Sequence, residues 1–482
     1  MANLTEGEQR GSTGLALKAG VWYVISTFLV KGLSFITTPI FSRLMEPADY
    51  GEFSNYASWQ TTLLILTGAE LYNTVARAYY DFKADFDKYV SSVTMASILV
   101  TAALYAVFLL CGDWIYRIVS IPPQFVHMMF FTLTFQACKQ VYLARERTLY
   151  HYKSVAAMSV INVLVPTLIA VVMVVLAKDG QKLQARIYGF YGPAAAIGII
   201  CGAMLLLRGR SFHMQYCKYA FKLSLPLLLH YLTAYLLTST NVMVTKSVLG
   251  ADAAAIVSIT TSTAYVLTLL LQAVSGAVTT WLMDCLDQKR HDTARRGLLL
   301  YCGGVLLLGT CVILVAPELI WILGGSRYTA ATELMPGLIL AAVIQAFTTV
   351  FTIILTYQKR VLGTAICTAV IAVVSIVAKI MLLPALGIQA LAWTNVVAFA
   401  VLFVCGYFMV KKDKETSKAV HIKGFSAITV GAFLTAIAGH LLYLNNVVRW
   451  CVIGVAAFAV LFVAYQKRAL ILSFVRKKLK KQ

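Results

Sequence analysis

The chain is dominated by long apolar runs separated by short polar segments. A helix needs about 20 apolar residues to cross the hydrocarbon core of a bilayer. On that criterion we read about fourteen such runs. The first seven are Lys18–Phe41, Phe53–Ala76, Ser91–Cys111, Phe125–Leu143, Ala156–Ala177, Gly189–Leu207 and Leu223–Thr245. The second seven are Ile256–Leu282, Leu298–Leu319, Gly337–Thr356, Thr364–Leu383, Ala390–Val410, Phe425–Leu444 and Trp450–Tyr465. The pattern predicts an all-α polytopic membrane protein.

Composition narrows the picture. Of 482 residues, 60% are hydrophobic and only 13% charged, far from the balance of a water-soluble domain. The net charge of +21 does not point to nucleic acid, because the basic residues sit in short segments between apolar runs. They alternate. One set of loops is rich, with Arg77, Lys83 and Lys88, then Arg145, Arg147 and Lys153, and so on to Lys411–Lys423 and the C-terminal tail. The other set is poor, with Arg43, Arg117, Lys246, Arg327, Arg449 and a small group at Lys178, Lys182 and Arg186. The positive-inside rule places the rich set, and with it both termini, in the cytoplasm. Loops on the poor side are too short to hold a folded domain, so function must lie in the helices. The N-terminus carries no signal peptide by its pattern. The ten cysteines form no C-x-x-C pair and read as small buried hydrophobes.

A faint repeat runs through the chain. FSRLMEPADYGEF after the first run and TKSVLGADAAAIV after the seventh align without a gap, pairing Arg43 with Lys246 and Ala48–Asp49 with Ala251–Asp252. Two parallel repeats give two bundles related by an axis along the membrane normal. The expected division is therefore residues 1–210 and 211–412 as two six-helix lobes around a central cavity, with 413–482 forming two appended helices and a basic tail.

Several residues do not belong in lipid. Lys31 falls near the middle of the first run, where an ammonium costs at least ~2.5 kcal/mol unless it faces protein or water. Glu70 falls in the second run, seven residues before Arg77 and so on a similar helical face. His230 and Asn241 lie in the seventh run near Pro226. Lys139 and Lys379 lie about four residues inside the ends of their runs, where their stems could reach the interface. Arg43 and Lys246 mark helix ends on the poor side, either as interface anchors or as anion contacts at a cavity mouth. Pro39, Pro166 and Pro226 bend or end apolar helices. Enzyme signals are weak: Asp85–Phe86–Asp87 matches D-x-D but sits on a short connector, and no phosphate-binding G-x-x-x-x-G-K-[ST] occurs. No metal or cofactor is indicated.

With this arrangement in view, the chain resembles the Wzx-type oligosaccharide and polysaccharide repeat-unit flippases, a branch of the MATE-like MOP exporter superfamily. Arg43, Leu44, Pro47, Tyr50 and Gly51 carry the family's R-L-x-x-P-x-x-Y-G pattern. NTVARAYYDFKADFDKY after the second run and KLSLPLLLHYL at the start of the seventh look alike too. Asn241 departs from relatives that often carry an Asp there. The resemblance implies translocation of undecaprenyl-diphosphate-linked oligosaccharide across the bacterial cytoplasmic membrane, for O-antigen or capsule synthesis, by alternating access of a cationic cavity. Lys31, Arg43, Glu70, Arg77, Lys139, His230, Asn241, Lys246 and Lys379 are the candidate cavity residues. Expected partners are the lipid-linked oligosaccharide, membrane lipids, and the polysaccharide polymerase and chain-length machinery; the expected state is a monomer. The competing readings are a cation-coupled drug or metabolite exporter of the MATE type and, more remotely, a membrane polymerase or glycosyltransferase.

Overall fold

A computed structural model describes residues 22, 32, 35–112, 119–358 and 360–466. The described end of the first helix is α1, residues 35–44. It is followed by α2 (Pro47–Gly68), α3 (Val75–Asp81), α4 (Phe86–Leu110), α5 (Pro123–Thr148), α6 (Tyr152–Leu176), α7 (Lys182–Gly209) and α8 (Met214–Leu249). Then come α9 (Ala251–Asp287), α10 (His291–Gly324), α11 (Met335–Tyr357), α12 (Val361–Leu386), α13 (Gln389–Lys411), α14 (Ile422–Leu442) and α15 (Asn446–Gln466). Short 3-10 turns join several of them, including Leu71–Thr74 and Ser326–Leu334. No strand occurs among the described residues.

Ten of the described segments are long and apolar enough to cross a membrane. At 22 and 26 residues, α2 and α5 have the length but are more polar. The helices outrun the apolar runs read from the sequence. At 36, 37 and 34 residues, α8, α9 and α10 exceed the thickness of the hydrocarbon core, so their ends project beyond it. One face of the bundle thus carries the Lys- and Arg-rich turns, and the opposite face carries Arg43, Glu52 and Lys246.

In one group, α4, α5, α6 and α7 pack together with α2; in the other, α9 to α13 pack with the second half of α8. Small residues permit the close crossings: a side chain at Gly198 of α7 would overlap the backbone of Phe135 on α5. The first turns of α8 belong by packing to the first group, since Cys217 and Ala220 are buried with Val90, Val93 and Cys201. A single helix therefore bridges the two. On the far side, α14 packs along α10 and α11. The Arg449 guanidinium of α15 grips Glu318 of α10 through both nitrogens, at 2.9 and 2.5 Å.

The second apolar run differs from its sequence reading. The helix stops at Gly68, and Ala69 and Glu70 both take left-handed backbone angles, with φ of 44° and 52°. Glu70 is therefore not on the second helix, and the seven-residue spacing to Arg77 does not place the two on one helical face. The short turn Leu71–Thr74 and α3 intervene. Lys139 and Lys379 also lie deeper than expected, because α5 continues to Thr148 and α12 to Leu386.

Candidate functional site

Two breaks in the chain set up the site. The segment after α1 and the segment after α8 each turn the chain sharply into a new helix, at Pro47 and at Ala251, the stretches that the internal repeat pairs. The starts of α2 and α9 then cross. Gly51 sits against the carbonyl of Ala251, so tightly that no side chain fits between them. Around this crossing the two groups are clasped on the face opposite the basic one. Glu52 of α2 pairs with Lys246 of α8, with both side chains largely buried. Ser42 donates to the Leu323 carbonyl. Arg43 donates to the carbonyls of Ile322 and Trp321 at 2.9 and 3.1 Å, where the unpaired carbonyls at the end of α10 favour a cation. Tyr50 meets Tyr328 edge-on, with ring centroids 6.1 Å apart.

Behind this seal lies a cavity of about 460 Å³. Its walls come from both groups: α1 and α2 on one side, α8 and α9 on the other, with Arg186 from α7. Along α2 the lining residues are Tyr50, Phe53, Ser54, Ala57, Ser58 and Thr61; along α9 they include Ser258, Thr261, Ser262 and Tyr265; α8 adds Tyr235, Ser239 and Asn241. The lining is thus rich in hydroxyl and amide groups. Ser54, Ser58, Thr61 and Thr261 each donate their hydroxyl proton to the carbonyl one turn back, at 2.7 to 2.9 Å. Thr61 is also hydrogen-bonded to the Tyr235 hydroxyl, whereas donation to the backbone leaves oxygen lone pairs on Ser54, Ser58 and Thr261 that can accept from a guest.

Arg186 is the one charged residue among the described lining residues. It is 7% exposed and lies over the rings of Phe53, Phe41 and Tyr50, at 3.6, 4.1 and 4.8 Å from their centroids. Burying an unpaired ion costs several kcal/mol; stacking on aromatic faces returns about 2 kcal/mol per good contact when desolvated. Guanidinium tolerates this better than an ammonium because it is weakly hydrated and planar. Its Nη1 donates to the Met45 sulfur at 3.4 Å, and its Nε has no hydrogen-bond partner. The polar groups around it are those of Tyr50, Tyr191 and Tyr328, and no carboxylate pairs with it among the described residues.

The Gly51–Ala251 crossing lies at one end of the cavity, beside the lining residue Tyr50. The first turns of α9 are buried at Ala254, Ala255, Val257 and Ile259. Past Leu269 the same helix exposes Leu270, Val274 and Ala277, which at spacings of four and three share one face.

Of the residues singled out from the sequence, Asn241 lines the cavity, and Asn395 of α13 donates to it at 3.4 Å. Lys31 and the side chain of His230 lie outside the described residues. Arg43 and Lys246 are spent in the seal rather than on the cavity wall. Arg77 is exposed on the basic face and pairs with Asp81 at 3.1 Å. The hydroxyl of Tyr219, together with that Arg77 contact, holds the Asp81 carboxyl below the usual carboxylate range. Glu70 accepts a hydrogen bond from Asn73 at 2.6 Å. Lys139 donates to Asn162 of α6 at 2.8 Å instead of reaching the interface. Lys379 is fully buried against α8, donating to the Leu237 carbonyl at 3.4 Å and to Thr240 at 3.3 Å. Sequence reading missed Arg186, grouping it with Lys178 and Lys182 as a topology signal. Lys182 does stay at the surface, paired with Asp179 at 2.8 Å. One turn further on, Arg186 turns inward. The available signal was its place inside the aromatic run RIYGFY.

Fold and cavity define a polytopic helical membrane protein with a polar chamber between two groups of helices. That fold is shared with the lipid II flippase MurJ in its inward closed conformation, at a TM-score of 0.67 and 14% identity over 94% of this chain and 100% of that one. A multidrug resistance MATE family transporter of the MOP superfamily in its inward-facing conformation matches at 0.59, with 14% identity over 83% and 99%. An outward-facing conformation of such a transporter matches at 0.51, with 14% identity over 83% and 97%. The profile described as "Polysaccharide biosynthesis protein" matches residues 16–282, more than half of the sequence, and the chain belongs to that family. The MatE profile matches residues 226–381. Among curated proteins none matches.

Proposed function

We propose that the protein is a Wzx-type flippase, which carries polyprenyl-diphosphate-linked oligosaccharide repeat units across the bacterial cytoplasmic membrane. The observation that carries this reading is the make-up of the cavity wall: many neutral hydroxyl and amide groups, one caged cation, and no carboxylate among its described lining residues. Sugar hydroxyls are recognised by such groups, and a diphosphate by Arg186. Without a chamber of this kind the sugar head would have to cross hydrocarbon unsolvated, which is prohibitive. Among the described lining residues the cation is Arg186; Lys31, the cation expected there from the sequence, lies outside the described residues.

The basic face is cytoplasmic by the positive-inside rule. In this reading the seal is periplasmic, and the chamber is loaded from the side where lipid-linked sugars are made. Rocking of the two halves, roughly 1–210 against 211–412, would open the seal and close the other end. An exporter of organic cations, the competing reading, would need a buried carboxylate to hold its cargo, and the described wall offers none.

The test is a reconstituted assay. Proteoliposomes carrying a fluorescent undecaprenyl-diphosphate oligosaccharide should show protein-dependent transfer between leaflets. Arg186→Ala should lower the rate at least tenfold while insertion and thermal unfolding stay close to wild type. Transfer at the wild-type rate by that variant, or export of cationic dyes in place of lipid-linked sugar, would overturn the proposal.

A further inference from the structure

On the basic face, the turn between α9 and α10 meets the segment that precedes α14. Lys289 bridges them, 3.2 Å from Glu415. Between the two segments lies a concave pocket of about 540 Å³ whose polar lining is Lys289, His291, Asp292, Arg295, Lys418 and His421. Three permanent cations meet two carboxylates there, Asp292 and the Glu415 that pairs with Lys289. Arg145 and Lys88, on the same face, are by contrast paired: Arg145 sits between Asp87 and Glu146, at 2.8 and 2.7 Å, and Lys88 lies 2.8 Å from Asp85. In the pocket, neither Arg295 nor Lys418 has a carboxylate at ion-pair distance among the described residues.

Two further features favour an anion. Both α10, of 34 residues, and α14, of 21, begin at the pocket wall, and helix N-termini present unpaired amides and a positive dipole end. The His421 ring accepts at Nδ1 from the Gly424 amide, 3.2 Å away, which makes its Nε2–H a donor.

We propose that this pocket is a binding site for the phosphate headgroup of an anionic phospholipid of the inner leaflet. Basic pockets between membrane helices at the cytoplasmic surface suit such headgroups. Occupancy ties the α9–α10 turn to the segment leading into α14, and so joins the appended helices to the bundle. The site is separate from the central chamber, and its test does not depend on what the chamber carries.

The experiment is native mass spectrometry of the full-length protein released from detergent micelles doped with phosphatidylglycerol or phosphatidylcholine. Wild type should retain phosphatidylglycerol and not phosphatidylcholine. The combined variant Lys289→Gln, Arg295→Gln, Lys418→Gln should weaken retention at least tenfold. A control removing the same charge elsewhere on this face, Lys83→Gln, Arg147→Gln, Lys153→Gln, should keep it, and thermal unfolding should show all three proteins folded. Competition by millimolar inorganic phosphate would show that the phosphate group suffices. Binding of phosphate alone, without the lipid, would keep the phosphate site but remove the membrane as its source. Equal loss in both variants would mean diffuse charge attraction, and retention of neither probe by wild type would mean no site; either result overturns the proposal.

Discussion

Gly51 of α2 lies directly against the carbonyl of Ala251 at the first turn of α9, and no β-carbon can be accommodated between them. This crossing lies at one end of the chamber. Packed backbones of this kind are two-state contacts, because interiors deform little. Gly51→Leu should therefore hold the two groups apart on the face of Arg43 and Lys246. A thiol placed in the chamber by Ser258→Cys should then react with a membrane-impermeant reagent from the periplasmic side several times faster than in the Gly51 background. Unchanged labelling would mean that the crossing is not the gate.

The Glu52–Lys246 ion pair spans the same seal, with side chains 25% and 15% exposed. Reversing one partner, by Glu52→Lys or Lys246→Glu, places like charges together and should raise the same accessibility. Reversing both should restore the closed state. The coupling expected for a partly exposed pair is up to about 1 kcal/mol, roughly a fivefold shift in the ratio of open to closed forms. A double variant as open as the singles would show that the pair adds nothing to closure.

Arg186→Lys keeps the charge and loses the planar ion that lies on Phe53 and Phe41. An ammonium is more strongly hydrated and binds a diphosphate as a point charge. The lysine variant should therefore transfer lipid-linked sugar at no more than about a tenth of the wild-type rate, a loss of roughly 1.4 kcal/mol in transition-state stabilisation. Full rescue by lysine in the proteoliposome assay would show that charge alone matters.

Lys379 is fully buried, and among the described residues its ammonium has a carbonyl and a threonine hydroxyl as partners, both beyond 3.2 Å. Replacing a buried ion by an apolar side chain of similar length is often neutral or stabilising. Lys379→Met should unfold, in detergent, at or a few degrees above the wild-type temperature. A marked fall would show that these two bonds hold α12 to α8.

Much of the fold was legible in the sequence, for a reason peculiar to membranes. Every spanning helix must satisfy its backbone internally and present about 20 apolar residues, so the apolar runs mark the helices directly. Their ends were less legible. The run through Gly68 stays apolar where the chain breaks, and nothing in TGAEL marks two left-handed residues at Ala69 and Glu70. The projecting ends of α8, α9 and α10 are polar and helical together, which hydropathy cannot register.

The site was legible only in part. Asn241 reached the chamber wall, whereas Lys139 and Lys379 found partners on neighbouring helices. A lysine one or two turns inside an apolar run reads the same whether it rises to the interface or is capped by another helix. Arg186 was overlooked for the same reason, since from sequence it is one more cation near a helix end.

The sequence by itself determined that the chain is helical, that it crosses the bilayer repeatedly, and that two similar turns follow its first and seventh apolar runs. These follow from local composition and from the cost of placing bare peptide groups or charge in hydrocarbon. Only the tertiary structure decided which polar side chains share a chamber, that Arg43 and Lys246 lie in the contacts at its end, and that Arg186 is buried in its wall with no carboxylate paired to it among the described residues. Those facts depend on which helix faces which, a relation between residues more than a hundred positions apart that no single run encodes.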